Sequence, residues 1–148
     1  MKPNPRRLDA GIYPYRFDIT TRFADLDPNR HLNNVRLMEY YQEARVMFHA
    51  ALHDEFAALA ARDGRTLVAH QSIDYLGEVG HPGKVTVGVG VLRVGTSSFT
   101  LGLGMFQEGR CTGIAATVIV HSDNAGPTPL PGSLREILKK KLLPEDAR

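Results

Sequence analysis

The sequence predicts an α+β fold in which a curved, antiparallel, five-stranded sheet wraps a long central helix. Three observations lead there. One strand pattern precedes a long helical pattern, and four strand patterns follow it in succession. The helix is apolar over much of its circumference, so a sheet curling around it buries it best. With 148 residues, 43% hydrophobic and 23% charged, the chain has the size and composition of one folded domain. We read 1–148 as a single domain, with 1–14 as an N-terminal arm and 131–148 as a C-terminal helix and tail.

The arm carries three prolines and three basic residues and shows little periodicity. From Tyr15 the alternation is strict. Tyr15, Phe17, Ile19, Thr21 and Phe23 point one way, and Arg16, Asp18, Thr20 and Arg22 the other, as in a half-buried strand. Asp25 continues the series and is expected in or beside that strand. Asn33 or Asn34 can cap the next element through an amide oxygen. Leu37, Tyr40, Tyr41, Ala44, Met47, Phe48, Ala51 and Leu52 then recur at helical spacing. A second apolar run, Phe56 to Ala61, extends this helix or follows a break near His53, and Gly64 ends it.

Strand patterns follow at 66–77, 83–95, 97–107 and 111–122, with "RVGTSS" and "QEGR" as hairpin turns. Gly88 and Gly90 alternate with valines, and Gly102 and Gly104 with Leu101, Leu103 and Met105. Glycine inside a strand marks a bend or a close approach, and its recurrence on successive strands predicts curvature. "NAGPTPLP" at 124–131 reads as a loop. Ser133 and Glu136 are spaced as a capping box for a short helix bearing Leu134, Ile137 and Leu138. Lys139, Lys140 and Lys141 close it, where cations suit the helix dipole.

Composition excludes several classes of function. A net charge of +2, without aromatics between basic residues, gives no footprint for nucleic acid. No apolar run reaches the length of a membrane span, and the first residues lack the apolar core of a secretory signal. Cys111 is the single cysteine, so no intrachain disulfide can form and a reducing compartment follows. The expectation is a cytoplasmic protein.

The chemistry concentrates in "ADLDPNRHLNN", residues 24–34, between the first strand and the helix. Asp-Pro starts turns and an Asn pair caps helices, so the stretch has a purely structural reading. It also has a catalytic one. A carboxylate can act as nucleophile or as a base for water, and a helix N-terminus offers unpaired N–H groups to a developing oxyanion. "DLDPNRHLNN", the helix containing "EYYQEAR" and the four-strand meander together resemble the hotdog-fold acyl-CoA thioesterases of the 4-hydroxybenzoyl-CoA thioesterase type, over nearly all of 15–122. Two positions depart from the family's usual pattern: Arg30 stands where it often has Gly, and Leu37 where it often has Tyr.

The resemblance implies hydrolysis of an acyl-CoA thioester. It makes Asp27 the nucleophile or general base, with the main-chain N–H of Asn34 as the carbonyl's hydrogen-bond donor. His31 could hydrogen-bond a carboxylate, hold the loop or bind substrate, and Asn33 would contact substrate; Tyr75 could line the acyl site from a partner subunit, and Ser97 or Ser98 could meet the pantetheine arm. The family's members are dimers or dimers of dimers, so a homo-oligomer is expected. Coenzyme A enters as part of the substrate, and no metal or other cofactor is implied.

Alternatives stand beside this. Glu39 or Glu43 could supply the carboxylate from within the helix, although Arg36 is spaced to pair with Glu39. The fold could serve as a non-catalytic acyl-CoA or acyl-carrier binding module, or as a hydratase using Asp27 with His31. His49 and His53 in "HAALH" have helical ligand spacing but lack the glutamate of an HExxH site and a third ligand.

Overall fold

The computed structural model describes residues 3–60 and 63–144. Strand β1 (Tyr15–Thr20) leads to helix α1 (Asn34–Ala51) and a shorter α2 (His53–Ala60). Strands β2 (Arg65–Tyr75), β3 (Lys84–Val94), β4 (Ser98–Gln107) and β5 (Arg110–Asp123) follow. A two-residue strand β6 (Gly126–Pro127) and helix α3 (Gly132–Lys139) come last. The sheet runs β1-β3-β4-β5-β2 with β6 appended to β5, every pair antiparallel. Irregular register at Val68/His70, Val91/Arg93 and Met105/Phe106 bends and twists the strands, which lets the sheet curl.

One face of the sheet packs on α1. Val85, Val87, Val89 and Val91 of β3, with Leu101, Leu103 and Met105 of β4, meet Leu37, Tyr40, Tyr41, Ala44 and Phe48, all buried. The helix breaks at Leu52, whose N–H bonds the carbonyls of both Phe48 and His49. Ala61 lies outside the described residues, and Asp63, with φ of 55°, makes the turn that the sequence assigned to Gly64. Gly64 is required for another reason: a Cβ there would lie 2.5 Å from His121 Nε2 and 2.7 Å from the Leu59 carbonyl oxygen.

The in-strand glycines form a floor on the sheet's other face. Gly88 pairs directly with Gly104, and Gly90 with Gly102. A Cβ on Gly88 would lie 2.5 Å from the ring of Tyr13, and one on Gly90 2.4 Å from a methyl of Leu143. The arm is therefore a bound element. Arg7 donates to the carbonyls of Leu103 (3.0 Å) and Ala115 (2.7 Å), and the Tyr13 hydroxyl donates to the Arg7 carbonyl at 2.8 Å. At the other end, the Leu143 N–H donates to Val91 O at 2.7 Å and the Val91 N–H to Lys141 O at 2.9 Å.

Two local readings are corrected. β1 stops at Thr20, opposite the first residue of β3, and the chain turns into a 3-10 helix over Phe23–Asp25, leaving Phe23 79% exposed. The capping box does not form. Pro131 occupies the N-cap, so Ser133 falls inside the helix, and Glu136 pairs with Lys139 at 3.7 Å.

His49 and His53 sit on different helices, and no cluster of three His, Cys, Asp or Glu side chains suited to a metal occurs among the described residues. The His49 ring instead stacks on Phe56, centroids 4.0 Å apart. Burial and the neighbouring Arg45 charge pull its pKa down to about 4 from an ordinary 6.5. Between those values the unfolded chain binds a proton that the folded one does not. The stabilising contribution is thus complete above about pH 6.5 and is lost as pH falls through about 4. Denaturant unfolding at pH 7 and at pH 4 is expected to show His49→Gln losing less stability across that interval than the wild type, by about 2 kcal/mol.

Candidate active site

Beyond β1 the chain is tied down at both sides of a short loop. The Asn33 N–H donates to Asp25 O at 2.9 Å, the Asp27 N–H to His31 O at 3.0 Å, and the Arg30 N–H to Asp27 O at 3.0 Å. The Leu32 N–H reaches Val79 O at 3.0 Å, attaching the loop to the segment between β2 and β3. At the tip, Asp27 Oδ1 accepts the Asn29 N–H at 2.8 Å, which closes an Asx turn.

Arg30 has φ of 63°, so the backbone takes the left-handed path glycine favours without having glycine. Its side chain is exposed. Arg30→Gly is therefore expected to raise stability by about 1 kcal/mol without loss of function, as thermal unfolding would read.

Asp27, His31, Asn34, Leu37, Tyr75 and Glu78 line one cleft of about 270 Å³. Asn33 is the N-cap of α1, its Oδ1 accepting the Val35 N–H at 2.8 Å. The Asn34 N–H, first in the helix, has no protein acceptor among the described residues, as a helix start allows. Tyr75 of the same chain as Asp27 lines this cleft, and its hydroxyl donates to Asn34 O at 3.1 Å. His31 Nε2 pairs with Glu78 Oε2 at 3.0 Å. The Asp27 and His31 side chains thus have different partners and are not hydrogen-bonded to each other.

Ser97 and Ser98 are elsewhere. Tyr75 aligns through Gly113 with Met105, whereas Ser98 is seven residues further along β4. That is roughly 23 Å at a strand's rise per residue. Glu39 and Glu43 line a separate hollow of about 460 Å³ between β1 and α1, where Glu39 pairs with Arg36 at 2.8 Å. A hollow of about 500 Å³ beside Arg16 and Phe106 is larger still, but it does not reach the N-terminus of α1.

The acid enclosed by protein is Asp25. It is 1% exposed and lies in the 3-10 turn, not in the strand. Arg22 Nε and Nη2 each donate to it at 3.0 Å, the Tyr40 hydroxyl donates at 2.7 Å, and Arg36 Nε stands at 3.8 Å. Burial alone would raise its pKa, but the bonds from Arg22 and Tyr40 outweigh this and hold it below the usual carboxylate value. Burial and the Asp25 charge together push Tyr40 up to about 12.

A family model of the thioesterase-like superfamily matches residues 21–138, most of the chain and the whole of this cleft. The chain belongs to that superfamily. Its fold is the hotdog fold, and the family is one of hydrolases acting on thioesters. The uncharacterized protein YsmA of Bacillus subtilis (strain 168) is 32% identical over 104 residues, covering 70% of this chain and 69% of that protein. Among solved structures, the PA5185 protein of Pseudomonas aeruginosa PAO1 superposes with a TM-score of 0.79 at 25% identity, covering 93% of this chain and 97% of its own. A thioesterase from Thermus thermophilus, complexed with coenzyme A and zinc, gives 0.74 at 28% identity, over 87% and 95%. YbaW, a probable thioesterase of Escherichia coli, gives 0.75 at 25% identity, over 86% and 98%.

In this thioesterase-like protein, sequence reasoning missed Glu78. "LGEVGHPG" has no periodicity, and it is long-range contacts, the bond from Leu32 to Val79 and the His31–Glu78 pair, that bring it to the loop. The clamp on Asp25 was equally hidden, because its partner Tyr40 reads as one more apolar helix position.

Proposed function

We propose that the protein hydrolyses acyl-CoA thioesters to a free carboxylic acid and coenzyme A. One observation carries the reading: Asp27 and Asn34 line a single cleft, and the Asn34 N–H, first in α1, has no protein acceptor among the described residues. A thioester carbonyl seated between them is attacked by Asp27 itself or by a water that Asp27 deprotonates. Negative charge gathers on the carbonyl oxygen, against the Asn34 N–H and the positive end of the helix dipole. The carbon–sulfur bond then breaks, and the thiolate leaves as coenzyme A and takes up a proton. When Asp27 attacks directly, water hydrolyses the resulting anhydride.

Around this centre His31 and Tyr75 contact substrate, and Asn33 holds the helix start in place. Ser97 and Ser98 act at the site of a second copy, since neither reaches the cleft of its own chain. Strand β2 supports the homo-oligomer: its outer edge is unpaired among the described residues, and it exposes Leu67, Val68 and Tyr75, with exposed Leu76 just beyond its end. Beside it α1 exposes Val35, Met38 and Val46. Such an edge is a template for strand pairing. The lone thiol of Cys111, which burial makes less acidic, suits the reducing cytoplasm.

A chromogenic thiol-release assay over a panel of acyl-CoA thioesters tests the reading. Release of free coenzyme A supports it. Binding of the panel without release overturns it in favour of a non-catalytic acyl-CoA module.

A further inference from the structure

We propose that Asp25 is the positioning residue of this site: its buried carboxylate clamps the loop bearing Asp27 to helix α1 and so sets the spacing between the Asp27 carboxylate and the Asn34 N–H. The inference rests on the hydrolase reading above and adds a residue to it. Two groups of Asp25 act in different directions. The side chain is gripped by Tyr40, in the second turn of α1, and by Arg22, just before the 3-10 turn. The main-chain carbonyl takes the N–H of Asn33, the cap that immediately precedes Asn34. Asp27 follows Asp25 by two residues, and its own N–H closes the loop on His31. Both reacting groups therefore hang from one anchor, one on each strand of a small closed loop.

A carboxylate 1% exposed that receives three hydrogen bonds holds its position far better than a solvated pair would. Reacting groups displaced by about 1 Å cost about 100-fold in rate. A role confined to stability would be felt throughout the fold; a positioning role is felt in the loop and in turnover.

The test compares Asp25→Asn and Tyr40→Phe in the full chain. Asparagine still accepts from Tyr40, and Arg22 can turn to water, so folding is retained. For Asp25→Asn, kcat is expected to fall about 100-fold with KM within about 3-fold, and for Tyr40→Phe about 10-fold. In an Asp27→Asn background the Asp25 substitution is expected to cost nothing further, because there is no longer a placed carboxylate to misplace. Hydrogen exchange at the Asp27 and Asn33 amides should quicken at least about 10-fold in Asp25→Asn, with the β3, β4 and β5 amides unchanged. Turnover within about 3-fold of wild type overturns the inference, as does faster exchange spread evenly over the sheet. Should the wild type turn over no thioester, the hydrolase reading fails. The exchange experiment then decides the clamp alone: quickening confined to the loop supports it, and none refutes it.

Discussion

Asp27→Asn is expected to lower kcat for thioester hydrolysis by about 10²–10⁴-fold, while KM stays within a few-fold and the fold is unchanged. The substitution isolates chemistry because the carboxylate does little structurally. Among the described residues its side chain makes one hydrogen bond, accepting the Asn29 N–H, and an asparagine oxygen accepts the same bond. The loss corresponds to about 3–5 kcal/mol of transition-state stabilisation. Its counterpart at the other side of the cleft is Asn34→Pro. Proline removes the donor N–H yet suits the first position of a helix, and Asn33 already has the φ of −63° and ψ of 138° that a residue before proline prefers. That variant should fold and lose about 10²–10³-fold in kcat, whereas Asn34→Ala, which keeps the N–H, should lose little. Full turnover in Asp27→Asn would remove the carboxylate from the mechanism.

Tyr13→Ala is expected to cost about 3–4 kcal/mol of stability, a fall in Tm of roughly 10 °C. The Tyr13 ring is 2% exposed, lies on Gly88 and Gly104, and meets the edge of Phe106 with centroids 6.0 Å apart. Removing it uncovers a patch of sheet with no Cβ atoms of its own, so nothing nearby can fill the gap. Tyr13→Phe keeps the ring and loses only the bond to the Arg7 carbonyl, for about 1 kcal/mol. Gly88→Val tests the contact from below by driving a side chain into the ring. Unfolding at fixed protein concentration measures all three, and a cost under about 1 kcal/mol for Tyr13→Ala would mean the arm adds little.

Much of this was legible from residue patterns because one period dominated each element. The alternation from Tyr15 to Thr20, the apolar stripe from Leu37 to Leu52 and the valine-rich β3 all found their places. Errors arose where a local pattern met a distant partner. Phe23 fits the alternation, but the Thr21 N–H is taken by Gly83 O at 2.9 Å just past the last β1–β3 pair, and the ladder ends. Ser133 and Glu136 have the right spacing, yet Pro131 starts the helix early. Of the two acids in "ADLD", spacing alone did not reveal that Asp25 would be enclosed and Asp27 left facing a cleft, since the difference depends on Tyr40, fifteen residues away. The place of Tyr75 in the cleft was not legible either, since it depends on β2 running antiparallel to β5 and returning its end to the start of α1.

The glycine floor also limits how copies of this protein can be arranged. Tyr13 and Leu143 upholster the back of the sheet, so the glycine floors of two copies could touch only after both residues had left their seats. Were copies to join as proposed above, β2 against its symmetry mate, two five-strand sheets would become a continuous ten-strand one.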